Sequence, residues 1–226
     1  MSVQKNQGFT LIEIAIVLVI IGLLLGGVLK GQELINSAKV KSYATDFRNI
    51  PVYIYGYQDR FRALPGDDVS VGSHVTGGTL ATAVAGTVVG DGVINGAWNS
   101  NTDTNESCLF WQHVRLANLA PGPTAVDCSA TGVYYPKNTN GGQIGIQSNA
   151  SFATITGPTA MTGSYIICSA NILGSFVLQL DVTMDDGNPE TGSMRAILNS
   201  AIPGVASNTA TVNSNPGNAF TICMGV

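Results

Sequence analysis

Residues 9–29 of the chain read FTLIEIAIVLVIIGLLLGGVL, and this run decides how the N-terminal region folds. A helix needs about 20 mostly apolar residues to cross the hydrocarbon core of a bilayer, so the run is long enough to span a membrane. Its one charged residue is Glu13. A lone carboxylate in hydrocarbon is costly unless it is paired or protonated, and an acid inside a span is by default a functional residue. The run therefore predicts a membrane helix in which Glu13 has a role.

Two simpler interpretations of the same run fit less well. A secretory signal peptide has a shorter apolar core, which is followed by a small-residue cleavage site. Here residues 30–42, KGQELINSAKVKS, continue a helical pattern instead. A plain membrane anchor explains the length of the run but not Glu13, whose side chain is too short to reach the membrane surface. A helix that continues beyond the membrane is the interpretation that remains.

The helical pattern extends well past the span. Apolar residues recur at spacings of three and four, which place them on one face of a helix. They are Leu34, Ile35, Ala38, Val40, Ala44, Phe47, Ile54, Tyr57 and Phe61. We expect one helix from about residue 9 to residue 62, whose second half packs an apolar stripe on a globular domain. Pro51 should kink this helix, because proline removes one backbone hydrogen bond.

Four glycines lie in and just after the span, at Gly22, Gly26, Gly27 and Gly31. Each weakens a helix by about 1 kcal/mol relative to alanine, so this segment could lose its helical form. Small residues four apart also let two helices approach closely. The sequence leaves both interpretations open.

The remainder of the chain, 63–226, is rich in Gly, Thr, Ser and Asn, a composition typical of strands and loops. In the whole chain charged residues make up only 11%, the net charge is −4, and Lys and Arg together number 10. That balance argues against nucleic acid as a partner. We expect residues 63–226 to form one exported globular domain.

Local patterns predict the elements of this domain. Residues 107–119 favour a short helix, and residues 172–184 a second helix, although a buried strand has the same apolar pattern there. Alternating or β-branched segments predict strands at 143–147, 151–156, 164–169, 193–198 and 219–224. Residues 69–106 predict a long loop with short strands. The fold class is therefore α+β, with a long N-terminal helix on an antiparallel sheet.

Four cysteines follow the apolar run, at Cys108, Cys128, Cys168 and Cys223. Their spacing fits neither a zinc site nor a C-x-x-C redox motif. An even number of cysteines in an exported domain favours two disulfides over buried thiols, and three pairings are possible. We favour Cys108–Cys128 with Cys168–Cys223, because each pair then links neighbouring segments.

Two groups of acidic residues are candidate calcium ligands, because hard cations prefer carboxylate oxygens in loops. The first comprises Asp67, Asp68, Asp91, Asp103 and Glu106. The second, which we favour of the two, comprises Asp181, Asp185, Asp186 and Glu190. Neither has the spacing of an EF-hand. Acids that form hydrogen bonds within exposed turns are the better interpretation of both groups, so no cofactor is expected.

The sequence carries no recognisable catalytic motif. It has no G-x-S-x-G, no phosphate-binding G-x-x-x-x-G-K and no zinc-binding H-E-x-x-H. Of the two histidines, His74 and His113, the second follows Trp111 in a predicted helix and should pack in the core. We expect a protein that is not an enzyme.

The residues around the start of the span, Gly8-Phe9-Thr10-Leu11-Ile12-Glu13, resemble the prepilin peptidase motif of type IV pilins and type II secretion pseudopilins. The resemblance covers the short leader with Lys5, the terminal glycine, the aromatic residue after it, the acid and the apolar helix. It implies that prepilin peptidase removes residues 1–8 by cleavage between Gly8 and Phe9, and that Phe9 is then N-methylated. It also implies that Glu13 pairs with the amine of Phe9 in a neighbouring subunit.

The same resemblance implies partners and a location. The precursor would lie in the inner membrane with its leader in the cytoplasm, an orientation that the positions of the lysines and arginines do not decide by themselves. An inner-membrane assembly platform would then build a helical homo-oligomer, and the fold would be that of type IV pilins. The function implied is that of a structural subunit of an extracellular filament for adhesion, motility or surface attachment.

Other functions stay open beside this one. A minor tip subunit would act as an adhesin or in DNA uptake, and it would be scarce in purified filaments. A type II secretion pseudopilin would show its role in secretion and not in attachment. An enzyme tethered by a pilin-like anchor is a third class, but it needs a catalytic constellation that the sequence does not contain.

Overall fold

A computed structural model describes residues 11–129, 133–157 and 159–226. The chain divides into two compact units, of which the first ends at Lys39 and the second covers Val40–Val226. The helices are α1 (Leu11–Phe61), α2 (Val71–His74), α3 (Glu106–Leu116), α4 (Gly174–Met184) and α5 (Thr209–Ser214). The strands are β1 (Ile144–Ser148), β2 (Ile155–Thr156), β3 (Tyr165–Leu173), β4 (Met194–Leu198), β5 (Gly204–Val205) and β6 (Ala219–Gly225).

The first unit contributes the apolar half of α1. Its described residues, 11–39, are all helical, and nearly all of their side chains are exposed. An exposed ion pair joins Lys30 Nζ to Glu33 Oε2 at 2.7 Å, three residues apart on the helix. The unbroken helix agrees with the pattern of apolar residues, because leucine and isoleucine dominate the run.

The second unit is built on an antiparallel sheet with the strand order β1-β3-β6-β4. The C-terminal half of α1 buries a stripe of residues at spacings of three and four, as the sequence predicts. The stripe consists of Val40, Tyr43, Ala44, Phe47, Ile50, Ile54 and Tyr57. Most of the stripe shares one core with Ile146, Ile167 and Ile222 of the sheet. The sheet therefore holds this half of α1 in place by apolar burial.

A second core lies among the other side chains of the same strands. Ile166 and Cys168 of β3 belong to it, while Ile167 between them belongs to the first core, as the alternation of a strand requires. Trp98 and Ile155 are further members of this core, and Ile155 belongs to β2, which pairs in parallel with β5. Both faces of the sheet are therefore covered, which explains why β1 is buried at every position.

The predicted α+β class and the long helix on an antiparallel sheet are confirmed, and some boundaries differ. Residues 172 and 173 complete β3, so the helix predicted for 172–184 begins at Gly174. Of the strand predicted for 151–156 only Ile155–Thr156 forms. Residues 69–106, all of which are described, contain α2 and the first residue of α3 but no strand. Pro51 lies inside α1, which continues through it.

Candidate assembly site

The apolar half of α1 presents a large surface with no cover inside its own unit. The exposed fractions of its large apolar side chains in residues 11–29 run from 46% at Ile21 to 88% at Leu11. A soluble protein rarely exposes a contiguous apolar patch of this kind, which marks contact with lipid or protein. Within the described residues, α1 is the one helix that is long and apolar enough to cross a membrane.

Glu13 is the acidic residue of this surface. It lies in the first described turn of α1, and its immediate neighbours Ile12 and Ile14 are exposed. Gly8 and Phe9, the predicted cleavage and methylation residues, lie outside the described residues. The structure thus places Glu13 at the N-terminal end of the described apolar surface, and its predicted pairing with Phe9 stays a prediction.

The glycines of the span face open space. At Gly22, Gly26, Gly27 and Gly31 an added Cβ would meet no atom within 4 Å, apart from the helix's own backbone. Because nothing in the described chain fills these positions, another helix can approach α1 closely there. The alternative, that the segment loses its helical form on assembly, stays a prediction beside it.

Two disulfides stabilise the second unit, and they join the cysteines that we favour pairing from the sequence. Cys168 and Cys223 face each other across β3 and β6. Cys108 of α3 is bonded to Cys128, whose N–H donates to Asp103 Oδ1 at 2.7 Å. All four sulfurs belong to buried residues. Structural disulfides of this kind form in oxidising compartments, which agrees with an exported domain.

Asp67 and Asp68 of the first acidic group form hydrogen bonds with different partners. Asp67 accepts hydrogen bonds from the N–H groups of Gly90 and Gly92 and so fastens a loop. Asp68 accepts from the Tyr57 hydroxyl at 2.7 Å and lies 2.7 Å from His74 Nδ1. These bonds outweigh burial and hold the pKa of Asp68 below its ordinary value.

The second acidic group surrounds a turn after α4. The Asp185 carboxylate accepts from the Met194 N–H, and Asp186 accepts from the Asn188 N–H and the Thr191 hydroxyl, each at 2.8 Å. Asp181 is 1% exposed, and burial raises its pKa to about 7. The backbone N–H of Glu190 donates a hydrogen bond to Asn188 Oδ1.

The positions of the ligand atoms also bear on metal binding. In the described residues, the one group of three or more ligand atoms within 4.8 Å of one another is Asp103 with Cys108 and Cys128. Both of those sulfurs are in a disulfide, which removes them as thiolate ligands. Calcium at Asp181, Asp185, Asp186 and Glu190 therefore stays a prediction.

His113 is part of the core, as its neighbours in the sequence indicate. It is fully buried, its Nδ1 accepts from the Gly66 N–H at 2.9 Å, and its Nε2 lies 2.9 Å from the Thr79 carbonyl oxygen. Nε2 must carry the proton to donate to that oxygen, so the ring is neutral, and burial lowers its pKa. Its contacts fasten two loops to α3.

Arg115 is a structural residue that the sequence did not reveal. Its guanidinium is buried and donates to the carbonyl oxygens of Pro121, Pro123 and Tyr134, at 3.2, 2.9 and 2.7 Å. An arginine near the end of a predicted helix gives no signal of such a role, because all three acceptors are backbone oxygens of a loop.

The comparisons with known proteins agree with the N-terminal pattern. A family model described as the prokaryotic N-terminal methylation motif matches residues 3–29. Searches of curated proteins and of solved structures found no match. The matched segment includes Gly8, Phe9 and Glu13 and most of the apolar half of α1. The motif and the helix fit a membrane-anchored precursor that prepilin peptidase processes. Residues 3–29 of the chain therefore carry the prepilin-type signature that is found in type IV pilins and pseudopilins.

Proposed function

We propose that the mature chain is a structural subunit of a type IV pilus-like extracellular filament, assembled through α1, and that it is not an enzyme. The observation that carries this proposal is the N-terminal methylation motif joined to an apolar helix whose surface is exposed throughout residues 11–29. A chain of this kind must exchange lipid for other helices when it leaves the membrane. A helical assembly of identical chains supplies those helices.

Glu13 gives the assembly its register. After cleavage, the new amine of Phe9 carries a positive charge, and the Glu13 carboxylate of a neighbouring copy would pair with it. Either charge alone is strongly disfavoured in an apolar filament core, whereas the pair offsets much of that cost. Subunits displaced from the paired position would leave both charges unmatched, so pairing selects one axial offset between neighbours.

Packing supplies the rest of the cohesion. The prior surroundings of α1 are lipid, so burial against neighbouring helices gains little from the hydrophobic effect and depends on close van der Waals contact. The open positions at Gly22, Gly26, Gly27 and Gly31 permit such contact. The disulfide-bonded second unit would lie outside, where the medium is oxidising.

The test compares surface filaments from cells that make the wild-type chain with those from cells that make Gly8→Val. A bulky residue before the scissile bond should block processing, so Gly8→Val should accumulate in the membrane at full length and be lost from the sheared fraction. Gln7→Val, one residue earlier, is the matched control and should assemble normally. Surface filaments that contain unprocessed Gly8→Val would contradict the proposal.

The abundance of the chain in that fraction separates the remaining functions. A major subunit is the bulk of the sheared material, whereas a minor tip subunit that binds surfaces or DNA is a trace component. A pseudopilin would be processed but absent from long surface filaments, and its deletion would impair secretion.

A further inference from the structure

A cleft of about 200 Å³ opens beside the C-terminal half of α1. One side is the face of α1 that carries Asp46 and Tyr53, and the other includes Trp111, Pro121 and Pro136. Pockets for drug-sized ligands are larger, at about 300–1,000 Å³. This cleft is therefore suited to one side chain and not to a small-molecule cofactor.

Within the described parts of the chain, no ion pair is found for the Asp46 carboxylate. Lys30–Glu33 and His74–Asp68, two ion pairs of the described residues, both lie elsewhere. The Asp46 side chain is partly buried, and this burial raises its pKa to about 6. A half-buried carboxylate without a partner favours a cationic occupant, because a positive charge would restore the solvation that burial removed.

The walls of the cleft favour a guanidinium over an ammonium. Tyr53 and Trp111 are aromatic, and a planar guanidinium can stack on aromatic rings while it donates to a carboxylate. The indole Nε1 of Trp111 is also buried without an acceptor among the described residues.

The side of α1 turned away from Asp46 carries positive charges that are complementary to the Asp46 carboxylate. Lys41, Arg48, Val52 and Tyr55 are exposed at spacings of seven, four and three, which places them on one stripe of the helix. Val52 is 64% exposed and Tyr55 is 62% exposed. Arg48 follows Asp46 by two residues, so the two side chains lie about 200° apart around the helix and cannot pair within one copy.

We propose that the exposed stripe of α1 in one copy docks on the cleft of a second copy, with Arg48 inserted between Tyr53 and the Asp46 carboxylate. Two different patches on opposite sides of the same helix make a head-to-tail contact, and repetition of that contact builds an open helix. Arginine and tyrosine are enriched among the few residues that dominate binding at interfaces, and the stripe supplies one exposed tyrosine and one arginine. This inference rests on the proposed function and names a contact of the filament beyond its apolar core.

The experiment is a charge exchange in the full chain, measured as the yield of sheared filaments. Arg48→Asp and Asp46→Arg should each lower the yield severalfold, because each places two like charges at the contact. The double variant, Asp46→Arg with Arg48→Asp, should recover most of the yield, because every contact again joins opposite charges. Arg62→Asp with Asp127→Arg, at exposed positions that belong to neither the stripe nor the cleft, is the matched control and should leave the yield unchanged.

A second measurement tests the cleft without assembly. The full chain in detergent micelles, labelled with ¹⁵N, has two tryptophan indole signals, and Trp98→Phe identifies that of Trp111. N-acetyl-argininamide should shift the Trp111 signal saturably, and its uncharged analogue N-acetyl-citrullinamide should not. In Asp46→Asn the response to the arginine derivative should be lost while the rest of the spectrum is retained.

Each result decides the inference. Recovery in the double variant together with an arginine-specific shift supports it. The inference is overturned if the double variant yields no more filaments than either single variant, or if both ligands shift the Trp111 signal equally. In either case, filaments of the wild-type chain leave the proposed function intact. Absence of wild-type filaments would instead contradict the proposed function.

Discussion

Replacement of Glu106 by glutamine should stabilise the second unit at neutral pH. Glu106 is 0% exposed, and its Oε2 accepts from the Asn95 N–H at 2.7 Å. Its Oε1 is buried without a partner in the described parts of the chain. Burial raises the pKa of Glu106 to about 7 against an ordinary value of 4.5, and the negative charges of Asp67 and Asp91 act in the same direction. Ionised Glu106 therefore opposes folding.

The size of the effect follows from that shift. One pKa unit corresponds to about 1.4 kcal/mol, so the shift amounts to about 3 kcal/mol. The folded pKa lies above the unfolded pKa, so the folded state binds the proton more tightly. The wild-type free energy of unfolding should consequently fall as the pH rises from about 4.5 to about 7. Glu106→Gln has the same shape but no charge, so this contribution disappears.

The assay is urea unfolding of the full chain in neutral detergent micelles, followed by the fluorescence of Trp98 and Trp111. At pH 4.5 the wild type and Glu106→Gln should be similar in stability, and at pH 8 the variant should be more stable by up to about 3 kcal/mol. Glu33→Gln, at an exposed carboxylate of the first unit, controls for the loss of one negative charge. If the difference between wild type and Glu106→Gln were the same at both pH values, the electrostatic argument would be wrong.

Three further predictions concern the second unit and the span. Loss of the Cys168–Cys223 bridge by replacement of both residues with alanine should cost about 4 kcal/mol in urea unfolding, since the bridge closes a loop with a sequence separation of 55; a loss below about 1 kcal/mol would contradict this. Arg115→Met should cost about 3 kcal/mol, because one buried and two partly buried carbonyl oxygens lose their donor, and Arg115→Lys should recover less than half of that. Glu13→Gln should reach the membrane at the wild-type level but fail to appear in sheared filaments, as immunoblots of both fractions would show; normal assembly of this variant would refute the pairing role.

The sequence predicts the elements whose residues follow a regular period. The buried stripe of α1 repeats every three to four residues. Strands β1, β4 and β6 each begin and end within one residue of the predicted bounds. The boundary between β3 and α4 was wrong for a physical reason. Asn171 has a φ of 56°, and the pairing of β3 with β6 shifts between Ser169 and Ile172. This irregularity interrupts the alternation, so the apolar residues after it resemble the start of a helix.

The contacts between distant residues could not be predicted from local patterns. The Tyr57 hydroxyl meets Asp68 at the end of a long helix, and the Glu106 carboxylate meets a backbone N–H eleven residues earlier. The cleft at Asp46 forms because α3 and two loops approach α1, and no motif marks it. Asp46 alone looks like an ordinary polar residue beside an amphipathic stripe. By contrast, Gly8, Phe9 and Glu13 can be recognised from the sequence because they lie close together in the chain and form one local motif.

The intact mass and N-terminal sequence of the dominant protein in sheared surface filaments test the central claim most directly. We expect a chain that begins at Phe9, carries one added methyl group on its amine, and has a mass consistent with two disulfides. A chain that still begins at Met1, recovered from cells with a working prepilin peptidase, would contradict processing at Gly8 and with it assembly through the N-terminal helix.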